Sequence, residues 1–136
     1  MSTFHLTIVT PDGCKFDSEA ESVSMPGTEG SLQVLAHHAD FVTTLGMGPA
    51  SIGLDGEHRK ACCIGGMFSM TKNAARLIAT SFEWADEIDV ERAENALKRA
   101  EDKLAKADIS PADKSLAVAA KQRALVRLAC ADAKKK

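Results

Sequence analysis

No stretch of this chain is long and apolar enough to suggest a membrane helix. The longest uncharged run, Phe41 to Leu54, carries Gly46, Gly48, Pro49 and Gly53. It falls short of the roughly 18–20 apolar residues that a span needs. The opening Met1-Ser2-Thr3-Phe4-His5-Leu6 lacks the basic start and apolar core of a signal peptide, so a cytoplasmic chain is expected. Basic charge is not in excess. With 17 Lys/Arg against 19 Asp/Glu and a pI near 6.1, nucleic acid is not the expected main partner. No Cys-x-x-Cys occurs: Cys62 and Cys63 are adjacent, Cys14 stands alone and Cys130 lies in a helical pattern. Neither structural zinc nor a disulfide framework is expected, and the four thiols read as free and buried.

Signs of catalysis are missing as well. There is no Gly-x-Ser-x-Gly elbow, no Gly-x-x-x-x-Gly-Lys-Ser/Thr loop and no Gly-x-Gly-x-x-Gly turn. His37-His38 is a poor metal pair, because neighbours on a strand point to opposite faces; His5 and His58 are isolated. No catalytic residue and no metal site are expected.

What is present divides in two. At 136 residues, 45% hydrophobic and 26% charged, the chain has ordinary globular proportions. All nine glycines fall between Gly13 and Gly66, whereas fourteen alanines follow from Ala85 onward. Residues 1–85 carry five Lys/Arg against nine Asp/Glu, and residues 86–136 carry twelve against ten. A β segment over 1–85 and an α segment over 86–136 are expected.

The first segment alternates. Phe4, Leu6 and Ile8 share one face of an extended stretch; Val23 and Met25, Leu32 and Val34, Phe68 and Met70, and Leu77 and Ala79 repeat the period. Turn residues separate these stretches at Pro11-Asp12-Gly13, Pro26-Gly27, Gly46-Met47-Gly48-Pro49, Asp55-Gly56 and Gly65-Gly66. Short strands at such spacing predict a sandwich or barrel, with Asp55-Gly56 as a two-residue hairpin.

The second segment has helical periods. Val90, Ala93, Leu97, Ala100, Leu104 and Ala107 form one seam, with Glu94–Lys98 and Asp102–Lys106 pairs opposite. Ser110 as N-cap, Pro111 and Asp113 start a second helix striped by Ala117, Ala120, Ala124, Leu128 and Ala131. An antiparallel two-helix hairpin is expected, held lightly because alanine buries little apolar surface. Asp89 reads as the first N-cap, with Ile88 stapled to Ala93. Arg92 and Arg99 share one helix face, and Arg123 and Arg127 share another. Brought together, they form a cation cluster without an equal number of acids, suited to a nucleotide triphosphate or an acidic protein surface.

Several motifs, in order, carry a family resemblance over essentially the whole chain. They are Phe4 through Gly13, Pro26-Gly27-Thr28-Glu29-Gly30, Val34-Leu35-Ala36-His37-His38-Ala39, Gly65-Gly66-Met67-Phe68, and Glu83 through Ala93. The chain resembles the epsilon subunits of the rotary F-type ATP synthase, departing from the family's usual glycine at Gln33 and prolines at Ala36 and Asp40. The resemblance implies a ten-stranded β-sandwich followed by a two-helix hairpin. It also implies a non-catalytic subunit, peripheral on the cytoplasmic side of the cell membrane and without membrane insertion. The coupling ion is a proton or sodium.

The implied partners are the gamma subunit and c-ring, with docking through Gly27, Gly30 and His38. In bacterial members the hairpin extends to the alpha and beta subunits and inhibits hydrolysis; Lys114, Lys121, Arg123 and Arg127 are the matching basic positions. No cofactor is required. Some members bind regulatory ATP through an Ile/Leu-Asp-x-x-Arg-Ala motif, which Ile88-Asp89-Val90-Glu91-Arg92-Ala93 fits. Glu83, Arg99, Arg123 and Arg127 are the implied companions. Read without the resemblance, the same arginines would also suit a stand-alone nucleotide-sensing adaptor.

Overall fold

The computed structural model describes the backbone of residues 2–134 and the side chains of residues 2–131. Met1, Lys135 and Lys136, which fall in the expected spans 1–85 and 86–136, lie outside the described residues. Eight strands come first: β1 Phe4–Thr10, β2 Gly13–Ala20, β3 Ser22–Pro26, β4 Ser31–Leu35, β5 Phe41–Leu54, β6 Glu57–Thr71, β7 Ala74–Ile78 and β8 Ser81–Trp84. A 3-10 turn at Ala85–Glu87 leads to α1, Val90–Leu104, and α2, Pro111–Lys134.

The strands form one mixed sheet, ordered β2-β1-β7-β6-β5-β3-β4, with β8 also on β6. Only β1 and β7 run parallel among the pairs. The sheet folds over on itself. The first arm of β6 pairs with β8 through Ala61–Ile64, and its second arm pairs with β7 through Met67–Thr71. Phe16 of β2 meets the ring of Trp84 of β8 at 6.2 Å, although their strands lie far apart in the sheet order. One core fills the fold between the arms, including Phe4, Leu6, Ile8, Val23, Met25, Phe68, Met70 and Leu77. Apart from the half-buried Leu32, the residues that alternate in the sequence are thus buried, and the large side chains among them contribute about 1.5–3 kcal/mol each.

The strand number differs from the expected ten. Gly46-Met47-Gly48-Pro49 and Gly65-Gly66 are not turns between strands; they lie inside β5 and β6. The β5–β6 register passes from Leu45↔Gly66 to Met47↔Ile64, leaving Gly46 and Gly65 without ladder partners. Gly65 and Gly66 have φ of 66° and 122°, and a Cβ at Gly66 would collide with the Ile78 carbonyl oxygen. Glycine here bends a continuous strand around the corner of the sandwich. The Asp55-Gly56 turn forms as expected, with φ of 54° and 78°. An equivalent turn at Lys72-Asn73, with φ of 50° and 61°, carries no glycine and was not apparent in the sequence.

Both helix starts follow the sequence. The Asp89 side chain accepts from the Arg92 backbone N–H at 3.0 Å, and Ser110 Oγ accepts from Asp113 N–H at 3.1 Å. Ala93, Ala100, Ala117, Ala124 and Ala131 are buried along the packed faces. Ala107 is not part of the seam: α1 ends at Leu104 and Ala107 is exposed. A second cluster joins helix to sheet, with Cys62 and Ile64 of β6 against Ile88, Cys130 and Ala131. Ile88 packs in this cluster. Three cysteines are buried as expected, but Cys14, near the start of edge strand β2, is exposed. Among the described helices, none is long and apolar enough to cross a membrane.

Candidate functional site

The junction between sheet and helices opens into a cleft of about 550 Å³. β8 contributes Glu83, the capped start of α1 contributes Ile88 and Asp89, and the first turns of α1 contribute Arg92, Ala93, Ala96 and Arg99. Arg127 enters from α2, where its Nε donates to Glu83 Oε1 at 2.6 Å. The side chains of this pair are only about a third exposed, 29% and 34%. Helical spacing explains the arginines: residues 92 and 99 are two turns apart on one face, which the Asp89 cap fixes over the cleft.

Seven of the eight residues expected around a nucleotide line this cleft; Arg123 does not. It lines a neighbouring groove of about 770 Å³ with Arg99, Lys103, Lys106, Asp113 and Leu116. Two cleft residues from the other end of the chain escaped the sequence reading: Asp12 of the first turn and Lys15 of β2. Glu87 was missed too. These additions change the electrostatics. Lys15, Arg92, Arg99 and Arg127 face Asp12, Glu83, Glu87 and Asp89, so the cleft itself has no excess of cations. Arg127 already has a carboxylate partner. No ion pair involving Arg92 or Arg99 occurs among the described residues. An anion entering here meets donors on three sides.

The expected docking residues do not form one patch. Gly27 and Gly30 make the β3–β4 turn, closed by Gly27 N–H to the Gly30 carbonyl at 2.8 Å. His38 lies beyond the opposite end of five-residue β4, its ring 4.7 Å from Phe41. On α2, Lys114 and Arg123 are exposed, whereas Lys121 and Arg127 are half-buried. No group of three or more His, Cys, Asp or Glu that could hold a metal occurs among the described residues.

Residues 3–85 match the family described as ATP synthase, Delta/Epsilon chain, beta-sandwich domain. Residues 86–132 match the ATP synthase, Delta/Epsilon chain, long alpha-helix domain. The chain belongs to the ATP synthase delta/epsilon family. Similar members include the ATP synthase epsilon chain of Symbiobacterium thermophilum, 37% identical over 98% of this chain and 96% of that one. That of Shouchella clausii is 33% identical over 94% of each chain. That of Alkaliphilus oremlandii is 40% identical over 76% of this chain and 77% of its own. Among solved structures, a chain of the Euglena gracilis mitochondrial ATP synthase OSCP/F1/c-ring assembly in rotational state 1 has the same fold. Its TM-score is 0.70 at 19% identity, covering 97% of this chain and 79% of that chain. Delta/epsilon membership accounts for the sandwich followed by helices, and it agrees with the resemblance carried by the sequence motifs.

Proposed function

We propose that this chain is the non-catalytic epsilon subunit of the central stalk of an ATP synthase that moves protons or sodium ions. Residues 1–85 dock on the gamma subunit and c-ring through the turn of Gly27 and Gly30 and the loop of His38. Residues 86–136 form an antiparallel hairpin that restrains ATP hydrolysis. The chain sits peripherally on the cytoplasmic side of the membrane. The observation that carries this reading is the match of both halves, in order, to the two parts of the delta/epsilon family.

The hairpin's attachment fits a movable element. Among the described residues, nineteen buried side chains hold the sandwich core and five form the cluster that joins the helices to it. When the hairpin lifts, the half-buried Lys121 and Arg127 of α2 join the exposed Lys114 and Arg123 in meeting acidic segments of the alpha and beta subunits. ATP is a regulatory ligand of the closed form. Arg92, Arg99 and Lys15 take the phosphates, Arg127 exchanges Glu83 for a phosphate oxygen, and Ile88 and Ala93 face the base. Affinity purification from membranes under mild detergent tests the assignment. Co-isolation with gamma and the c-ring is expected; recovery of the chain alone sinks it.

A further inference from the structure

Beneath α2, the outer face of β6 carries Cys62, and the helix above carries Cys130; both belong to the buried cluster that joins helix to sheet. Two registers bring them together. Cys62 is the ladder partner of Glu83 across β6 and β8. Cys130 lies three residues after Arg127, one turn along the same face of α2. Cross-strand partners stand about 4.5–5.5 Å apart and helix neighbours at this spacing about 5–6 Å. Arg127 is bonded to Glu83, and beside that link Cys62 and Cys130 pack in the same buried cluster. Each thiol shifts the other's ionisation, Cys62 upward and Cys130 downward, as close neighbours do. Cys63, on the opposite face of β6, points into the sandwich core, and Cys14 is exposed on β2. Neither competes for Cys130.

We propose that Cys62 and Cys130 form a redox-sensitive pair whose disulfide fastens α2 to the sandwich. The oxidant is a small-molecule disulfide of the glutathione class. The Cys130 thiolate attacks one sulfur of the oxidant, forming a mixed disulfide and releasing one reduced thiol. The Cys62 thiolate then attacks the Cys130 sulfur, forming the Cys62–Cys130 bond and expelling the second thiol. Two protein thiols lose two electrons and two protons, and the oxidant gains them. With exposures of 0% and 2% in the closed arrangement, the first attack requires α2 to lift and the second its return. The bond therefore traps the closed form. In the reduced chain, the neighbouring Cys130 and burial both push the Cys62 thiol up, so it stays a neutral packing group. The regulatory consequence rests on the proposed movable hairpin, whereas the chemistry of the pair does not.

The test uses the full chain carrying Cys14→Ser, which removes the exposed thiol, incubated with oxidised glutathione. Expected are a mass lower by two hydrogen atoms and a peptide pair linked through Cys62 and Cys130. Hydrogen exchange in α2 should slow about tenfold or more and recover with dithiothreitol. Adding Cys130→Ser should abolish the linkage. Glutathione adducts without linkage, a Cys62–Cys63 bond or no oxidation overturns the pair. Linkage with α2 exchange already equally slow before oxidation supports the pair and overturns the movable hairpin instead.

Discussion

Arg127 of α2 donates through Nε to Glu83 Oε1 of β8 at 2.6 Å, joining the second helix directly to the last strand of the sandwich. The link is short but only partly shielded, so its strength lies between that of a surface pair and a buried one. Glu83→Gln keeps the shape and removes the charge. It should weaken α2 attachment by about 0.5–1.5 kcal/mol and raise amide exchange in α2, leaving β-strand exchange unchanged. Equal α2 exchange in both chains would show that Arg127 does not hold the helix.

Ending the chain after residue 85 should leave a folded β domain. Every buried residue of the main core, from Phe4 to Trp84, precedes that point. The cost is exposure of Cys62 and Ile64, which α2 covers. A cooperative thermal transition with strand-type circular dichroism is expected. In the assembled synthase, ATP synthesis should persist and restraint of hydrolysis should weaken. Aggregation of the truncated chain refutes the proposed division.

Glycines at a strand bend and at a turn should respond differently. Gly66→Ala forces a Cβ into the Ile78 carbonyl at φ of 122°, and a loss of about 3 kcal/mol or more is expected in denaturant unfolding. Gly30 also has positive φ, 140°, yet open space surrounds the missing Cβ. Gly30→Leu should cost only about 1–2 kcal/mol, so the domain still folds while docking to gamma weakens. Normal stalk assembly by the folded variant removes Gly30 from the interface.

The contrast shows what the sequence could convey. Asp55-Gly56 announces a hairpin because both positions need positive φ and the flanking residues alternate. Gly46 and Gly65-Gly66 look equally like turns, because a local signal for positive φ or close approach does not distinguish a chain reversal from a bend. That distinction comes from the partner strands. The cleft was legible where its residues are close in sequence, from Glu83 to Arg99, and at the helical repeat reaching Arg127. Asp12 and Lys15 arrive through the folding of the sheet, and no local period encodes them. For the same reason Arg123, one turn from Arg127, was expected beside it but opens on the next groove.

His5 offers a pH-dependent check on the β1–β2 edge. The hydrogen bond that the His5 ring donates to the Asp17 carboxylate holds the imidazole above its ordinary 6.5; desolvation opposes it, and the charge of Asp17 and the Glu19 carboxylate add to it. The raised value means the protonated ring is favoured in the folded chain. Its contribution is full below pH 6.5 and fades as pH rises through the folded-state value. Proton NMR should give a midpoint above 6.5 that Asp17→Asn lowers. A midpoint at or below 6.5 in the unaltered chain contradicts the contact.

Nucleotide binding is the most demanding prediction, because the cleft has as many acids as cations. Binding must therefore come from local geometry. Arg92 and Arg99 have no ion-pair partner among the described residues, so their donors meet a phosphate without first giving up a carboxylate. Arg127 must first leave Glu83, which offsets part of its gain. Arg92→Ala should accordingly weaken ATP binding by about 1.5–3 kcal/mol, a factor of roughly ten to one hundred and fifty in Kd. Arg127→Ala should weaken it less and also loosen α2. Arg123→Ala, outside the cleft, should leave Kd within about twofold, since its side chain lines the next groove. A nucleotide that prefers the closed form must slow α2 exchange as it binds, because it shifts the equilibrium only by its difference in affinity for the two states. Calorimetry and hydrogen exchange on the isolated full chain at millimolar ATP read both effects. No heat and no change in exchange would leave these arginines as contacts for protein partners alone.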